Sequence, residues 1–367
     1  MTALMPRRLA TLRVAPLHPV AWWVWAVLLA AAAARITNPI CLGLILAVDG
    51  WVVVARRPQS TWARSFSTLL RLGAFVVVIR VVFQALFGLR TPGHTLFTIP
   101  SVALPSWLAG VSLGGPVTAD ALAGAACQGL RLAAILGCVG AANALVSPFR
   151  LLRCVPAALY EVAVAVTVAV SFTPQVITSL GQVRDARRLR GRSVSGVAGV
   201  RGLAVPVLEG ALERSLALAA SMDSRGFGRR AVSVGRQRLA SAATLAGLLG
   251  LAVGVYGVLD SGAPSALGLP VIAVGAVLVL AGLVAASYGG RSRYRPDRWS
   301  GREWFTVAVG AAALATVVVV GRNNAASLTM PIYPLSLPAV PLVAVAGILV
   351  AALPSIVAPV PVDRTPR

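Results

Sequence analysis

The sequence predicts an all-α, polytopic membrane protein with about eight spans and a cytoplasmic α-helical insert. Its mean hydropathy is +0.83, and 57% of its 367 residues are hydrophobic. Only 12% are charged, whereas a soluble domain carries about 25%. The apolar runs are continuous rather than alternating, and many reach the roughly 20 residues that a membrane-spanning helix needs.

The first apolar run follows a basic start and resembles a signal peptide. A second run begins within a few residues, and Trp22, Trp23 and Trp25 suit a span anchored at the membrane interface, so we predict a permanent helix. The loop 90–118 is rich in proline and glycine. The predicted spans are 20–35, 38–55, 72–89, 119–146, 239–259, 267–287, 303–321 and 335–355.

The basic excess is large, with 33 Lys+Arg against 11 Asp+Glu, and every basic residue is arginine. In a soluble protein this charge would suggest nucleic acid. Here the arginines fall between apolar runs, so membrane topology and a protein partner explain them better, and no nucleic-acid partner is predicted. The absence of lysine excludes a Walker A loop, so the chain is not by itself a standard P-loop ATPase.

The arginine distribution predicts the orientation, because arginine-rich loops belong in the cytoplasm. If 156–173 does not cross but packs against the bundle or dips into it, all arginine-rich segments share one side. Both termini are then cytoplasmic. The predicted domains are an N-terminal membrane bundle (1–146), a cytoplasmic coupling region (147–238), and a C-terminal membrane bundle with a short tail (239–367).

Two helices are predicted in the coupling region, at 175–190 and 206–225, with Pro206 in the first turn of the second. Both end in Arg-Gly, because glycine commonly stops a helix and arginine complements the negative end of its dipole. The turn between the helices contains Gly191, Gly196, Gly199 and Gly202. The predicted apolar stripe of the second helix comprises Val207, Leu208, Leu212, Leu216 and Met222.

These arginines have three possible roles. They are solvated charges that set orientation, or they bind anionic lipid headgroups. Alternatively, the two helix ends each present one planar guanidinium fork to carboxylates or aromatic rings of a partner. Two such ends would suit two copies of a partner or two domains of one.

Several short motifs occur in a fixed order. They are LHPVAW at 17–22, GLRLAAIL at 129–136, SPFRLLRCVP at 147–156, SFTPQV at 171–176, ARRLRG at 186–191 and SMDSRGFG at 221–228. The ordered set resembles the transmembrane (T) component of energy-coupling factor transporters, the EcfT/CbiQ family. The two Arg-Gly ends match the paired Ala-Arg-Gly signature of that family, except that Leu189 and Ser224 replace the alanine before each arginine, and Ser221 replaces another.

The resemblance implies that Arg190-Gly191 and Arg225-Gly226 contact grooves on two ATP-binding-cassette subunits. It also implies a separate small membrane (S) subunit that binds a vitamin or a transition-metal ion. The chain itself is then expected to hold no catalytic residue, metal or cofactor, since its partners bind ATP. The residues expected to support the contact are Ala186, Arg187, Arg188, Ser221, Met222, Asp223, Ser224 and Phe227.

The leading hypothesis is therefore a non-catalytic coupling subunit of an ATP-driven importer in the cell membrane. The alternative is a self-contained secondary transporter, which would need ligand or proton sites in its spans and paired broken segments in two repeats. A membrane enzyme is disfavoured because no His/Asp/Glu cluster occurs in the sequence. The ionisable groups at membrane depth, Arg80, Arg131 and Asp49, are functional candidates by default.

Overall fold

The computed structural model describes residues 17–57, 65–87, 94–103, 112–155, 160–191, 196–227, 234–260, 264–287, 299–332, 336 and 338–359. Contacts divide the chain into two compact units. The first contains residues 1–151 together with 296–367, and the second contains residues 152–295. These units differ from the domains predicted with boundaries at residues 146 and 238. The predicted C-terminal bundle, 239–367, is split, with 239–295 in the second unit and 296–367 in the first.

The first unit is formed mainly by helices. These are α1 (Pro19–Ala34), α2 (Pro39–Arg56), α3 (Ser65–Phe87), α4 (Ala119–Leu145), α10 (Gly301–Asn323), α11 (Ala325–Leu328), α12 (Leu342–Val350) and α13 (Pro354–Val357), and the short helix α5 (Pro148–Arg153) crosses the boundary between the units. The described helices of the second unit are α6 (Tyr160–Leu189), α7 (Gly196–Ser224), α8 (Val234–Leu259) and α9 (Leu269–Ser287), with a 3-10 turn at Ser265–Leu267.

The prediction of an all-α polytopic membrane protein is confirmed. Six helices in the described part of the chain are long and apolar enough to cross a bilayer: Pro39–Arg56, Ser65–Phe87, Ala119–Leu145, Glu161–Leu189, Arg238–Leu259 and Gly301–Asn323. Five of them coincide with predicted spans. The sixth includes most of the segment that we predicted not to cross. Three other predicted spans correspond to the shorter apolar helices Pro19–Ala34, Leu269–Ala285 and Leu342–Val357.

In the first unit, α4 contacts α1, α2 and α3, while α10 contacts α1 and α12. The pair α3 and α4 approaches closely at glycines. A Cβ built on Gly73 would lie 3.0 Å from the Ala133 backbone, and one on Gly129 would lie 2.9 Å from Val77 Cα. Small residues at a helix interface allow this approach within a membrane, where dispersion contacts replace the hydrophobic driving force.

The last helices are integral to this unit, and Asn38 shows why. Its side chain caps α2 by accepting from the Ile40 N–H at 3.0 Å. Its Nδ2 also donates to the carbonyls of Ser327 at 3.0 Å and Ala339 at 2.7 Å. Asn38 is fully buried. The two distant carbonyls therefore accept hydrogen bonds from an amide group for which α2 alone provides no acceptor.

Two further contacts join the first helix to the last ones. The Trp25 indole Nε1 donates to the Ala351 carbonyl at 3.2 Å. The His18 backbone N–H, at the start of α1, donates to Glu303 Oε1 at 3.2 Å. Glu303 also forms a capping box with Ser300 at the start of α10, so one carboxylate stabilises the N-termini of two helices.

The loop predicted at 90–118 contains a β-hairpin instead of being entirely irregular. Strand β1 (Thr95–Ala103) pairs antiparallel with β2 (Ser112–Thr118), with register shifts between the aligned pairs. The first strand is rich in β-branched and aromatic residues, which favour extended structure. The proline and glycine content concealed this signal.

Two predicted helix boundaries in the second unit are wrong. The segments 156–173 and 175–190 were predicted to be separate, but α6 continues through Pro174. Likewise, Pro206 does not begin a helix, because α7 begins ten residues earlier at Gly196. Proline removes a single helical hydrogen bond, which at Pro174 is the bond to the Val170 carbonyl, so a long helix with other stabilising contacts continues through it.

Candidate partner interface

The end of α6 has the geometry predicted from its Arg-Gly sequence. Leu189 is the last helical residue, and Gly191 has a φ of +69°. The Gly191 N–H donates to the Arg188 carbonyl at 3.0 Å. A left-handed residue here suits glycine, because a side chain would collide with its own backbone.

The end of α7 repeats this arrangement. Gly226 has a φ of +71°, and its N–H donates to the Asp223 carbonyl at 2.8 Å. The Phe227 N–H donates to the Met222 carbonyl at 3.0 Å. Together these bonds form a complete Schellman motif. The prediction that both helices stop at Arg-Gly is therefore confirmed, and each arginine occupies the last position before the chain turns away.

The serines that replace alanine in the second motif fit without disturbing the helix. The Ser221 hydroxyl donates to the Leu218 carbonyl at 2.8 Å, and the Ser224 hydroxyl donates to the Ser221 carbonyl at 2.9 Å. Serine commonly bonds back to its own helix in this way. These departures therefore leave the backbone geometry of the helix end intact.

Both motif arginines, Arg190 and Arg225, have exposed side chains. Leu189, which stands where the family has alanine, is 90% exposed and therefore does not fix the packing of the helix end. The supporting residues vary in exposure. Ala186, Arg188, Ser221, Asp223, Ser224 and Phe227 are exposed, while Arg187 and Met222 are half-buried.

The two helices run antiparallel where they meet. Near the end of α6, the Arg187 guanidinium lies on Gly202 in the second turn of α7. Further back along α6, Ser179 Oγ accepts from Arg214 Nη2 at 2.9 Å. Arg190 therefore lies towards the beginning of α7, whereas Arg225 follows its last residue. About 35 Å of helical rise separates Gly202 from Arg225, so the two arginine-bearing ends are far apart.

A family model described as cobalt transport protein, CbiQ, matches residues 13–234. The match covers more than half of the chain and includes both Arg-Gly ends. The chain belongs to the CbiQ cobalt transport protein family. A search of curated proteins found no match. The CbiQ match confirms the family to which the sequence motifs pointed, and it stops at the beginning of α8. Helices α9 to α13 therefore lie beyond the matched region.

Membership of the CbiQ family identifies the chain as a multi-pass membrane component of transport.

The predicted apolar stripe of α7 is only partly correct. Val207 is buried, and Met222 is half-buried. However, Leu208, Leu212 and Leu216 are more than 60% exposed. Leu203 is buried instead, and Gly202 contacts Arg187 of α6.

Three ionisable groups were predicted to lie at membrane depth, and the structure shows their surroundings in this CbiQ-family chain. The Arg80 guanidinium on α3 donates to the Gln128 amide oxygen on α4, which supports a structural role for Arg80. Arg131 is half-buried one turn further along α4. Asp49 on α2 is fully buried beside Gly137 of α4. The Cys138 thiol lies near Asp49, but a thiol is only a weak donor. Neither carboxylate oxygen of Asp49 accepts a hydrogen bond of normal length and angle from the described residues.

Metal-ligating side chains do not converge in the described part of the chain, which has no group of three or more His, Cys, Asp and Glu residues. The cysteines at 41, 127, 138 and 154 are thiols, and three of them are buried. The Cys127 thiol contacts Met330 Sδ at 3.4 Å. The expectations that the chain holds no metal and no cofactor stay predictions.

Proposed function

We propose that this CbiQ-family protein is the non-catalytic coupling subunit of an ATP-driven importer of the energy-coupling factor type. In this proposal, α6 and α7 transmit motion from two ATP-binding-cassette subunits to a separate small membrane subunit that binds the cargo. The observation that carries it is the repeated helix end. Two helices present the same Arg-Gly cap, each with an exposed arginine, at well-separated places.

The separation favours two binding surfaces over one. Roughly 35 Å of helix lies between the two ends, so the two guanidinium groups cannot enter the same pocket. Each planar fork can pair with a carboxylate through two parallel hydrogen bonds. Two copies of one partner would meet this requirement, because each copy offers the same groove to one end.

The composition supports a division of labour between subunits. The chain has no lysine, and a P-loop needs a lysine to reach the phosphates of ATP. Hydrolysis is therefore assigned to the partners. The cargo class is a vitamin or a transition-metal ion, and the expected location is the cell membrane with both termini in the cytoplasm.

The first test concerns independence. The purified chain should neither bind nor hydrolyse ATP, and uptake in proteoliposomes should require added ATPase and cargo-binding subunits. The measurements are ATP hydrolysis and cargo uptake, with and without those partners. Stoichiometric hydrolysis by the chain alone would contradict the proposal. Uptake by the chain alone, driven by an ion gradient, would instead indicate a secondary transporter.

A second test concerns topology. In a cysteine-free variant, single cysteines at residues 195 and 230, which lie outside the described residues, should react only with membrane-permeant reagents, because both belong to the arginine-rich region. A cysteine at Thr329, an exposed residue on the predicted outer side, is the matched control and should react with an impermeant reagent. Outside labelling at 195 or 230 would rule out the eight-span arrangement.

A further inference from the structure

Arg187 differs from its neighbours at the end of α6. Arg187 is half-buried, whereas all the remaining side chains from residue 184 to residue 190 are exposed, including those of Arg184 and Arg188. Its Nε is buried and has no hydrogen-bond acceptor among the described residues. A solvated charge that only set orientation would remain in water like its neighbours. The partial burial of Arg187 therefore indicates a contact with the neighbouring helix α7.

The Arg187 guanidinium lies against the backbone of α7 at Gly202. A Cβ built on Gly202 would lie 1.9 Å from Arg187 Nη1, 2.6 Å from Cζ and 2.7 Å from Nη2. Ordinary contacts between non-bonded heavy atoms are about 3.5–4 Å. Any side chain at 202 would therefore displace the guanidinium. Glycine has no side chain and leaves room for it, and we call this contact between Arg187 and Gly202 the Arg187 seat.

The seat has a mechanical consequence for Arg190, which follows Arg187 by three residues in the same final turn. A displacement of the helix at Arg187 moves Arg190 with it. The second contact, between Ser179 and Arg214, lies about two turns further back. Two polar contacts at separate places along a pair of helices restrict both sliding and rotation.

We propose that Arg187 is a positioning residue, whose guanidinium, seated on Gly202, sets the spacing between the Arg190 end and the Arg225 end. This proposal rests on the proposed function, because the spacing matters only if both ends engage partners. Arg187 contacts no partner in this role, and it acts through the placement of Arg190.

The test compares Arg187→Ala, Gly202→Ala and the double variant. Spin labels are attached to cysteines at Leu189 and Leu216, both exposed, in a chain without native cysteines, and their separation is measured by pulsed electron paramagnetic resonance. Uptake is measured with unlabelled variants in the assembled transporter. Gly181→Ala is the matched control, because a Cβ built on Gly181, also in α6, meets nothing within 4 Å.

Each single variant is expected to shift or broaden the label separation and to lower uptake by the same factor, roughly 2- to 30-fold. The double variant should be no worse than either, since both changes remove one contact. Gly181→Ala should behave as wild type. Because glycine-to-alanine changes favour the helix, weaker helix formation cannot explain a loss in Gly202→Ala.

Unchanged label separation in the single variants would overturn the proposal, and so would additive losses in the double variant. A changed separation with full uptake would also overturn the role of Arg187. In that case the Arg190/Arg225 double alanine variant identifies the error. If that variant loses uptake, only the role of Arg187 is wrong, whereas if it retains uptake, the proposed function fails as well.

Discussion

Replacing both Arg190 and Arg225 with alanine is expected to release the ATPase subunits and abolish uptake, while the chain still inserts into the membrane. Removing a buried, paired interface arginine costs about 2–5 kcal/mol, partly because the partner carboxylate is left unpaired. That corresponds to a roughly 30- to 5,000-fold loss of affinity at each end. The measurement is co-purification of the ATPase subunits with each variant, normalised to its expression.

Controls for this experiment come from the same helices. Arg184 on α6 is an exposed arginine six residues before Arg190, so Arg184→Ala should retain the partners. Arg225→Lys should not restore full binding, because lysine lacks the planar fork. If the double alanine variant kept its partners and full uptake, the arginines would be orientation charges rather than anchors.

Deleting residues 296–367 is expected to prevent stable folding, even though this segment lies outside the family match. Asn38, Trp25 and the His18 N–H would lose their acceptors in Ser327, Ala339, Ala351 and Glu303. Each buried group left without a partner costs about 1–3 kcal/mol, and the whole protein is stable by only about 5–15 kcal/mol. Lipid acyl chains can cover newly exposed apolar surface, but they cannot accept hydrogen bonds.

The deletion is assessed by expression, size-exclusion profile in detergent and thermal unfolding. A shorter deletion of residues 360–367, which lie beyond α13, is the control and should behave as wild type. Asn38→Ala should reproduce part of the loss, and so should Asn38→Asp, because a carboxylate there keeps the helix cap but is buried against two carbonyl oxygens. A monodisperse chain ending at residue 295 with unchanged thermal stability would show that the last helices are dispensable.

The candidate site was largely predictable because its geometry is local. The stop of α7 depends on hydrogen bonds between Met222 and Phe227 and between Asp223 and Gly226, all within six consecutive residues. The exposure of Arg190 and Arg225 follows from their position after the last turn. The Arg187 seat was not predictable, because it depends on Gly202, whose approach is set by the packing of α7.

Helix boundaries were less predictable where proline was present. We predicted a helix boundary at Pro174 and a helix start at Pro206, yet both lie inside long helices. The local cost of proline is a single lost hydrogen bond and some strain. Contacts along the rest of α6 and α7 offset this cost, and no short window of sequence contains those contacts.

The sequence by itself determined the membrane class and the two Arg-Gly helix ends. Hydropathy and helix stops depend on neighbouring residues, so no distant contact is needed to establish them. Only the tertiary structure decided that residues 296–359 complete the buried hydrogen bonds of α1 and α2, and that Leu208, Leu212 and Leu216 face away from α6. The physical reason is that burial and hydrogen-bond satisfaction there depend on groups separated by as many as 326 residues along the chain, and only the folded chain brings such groups together.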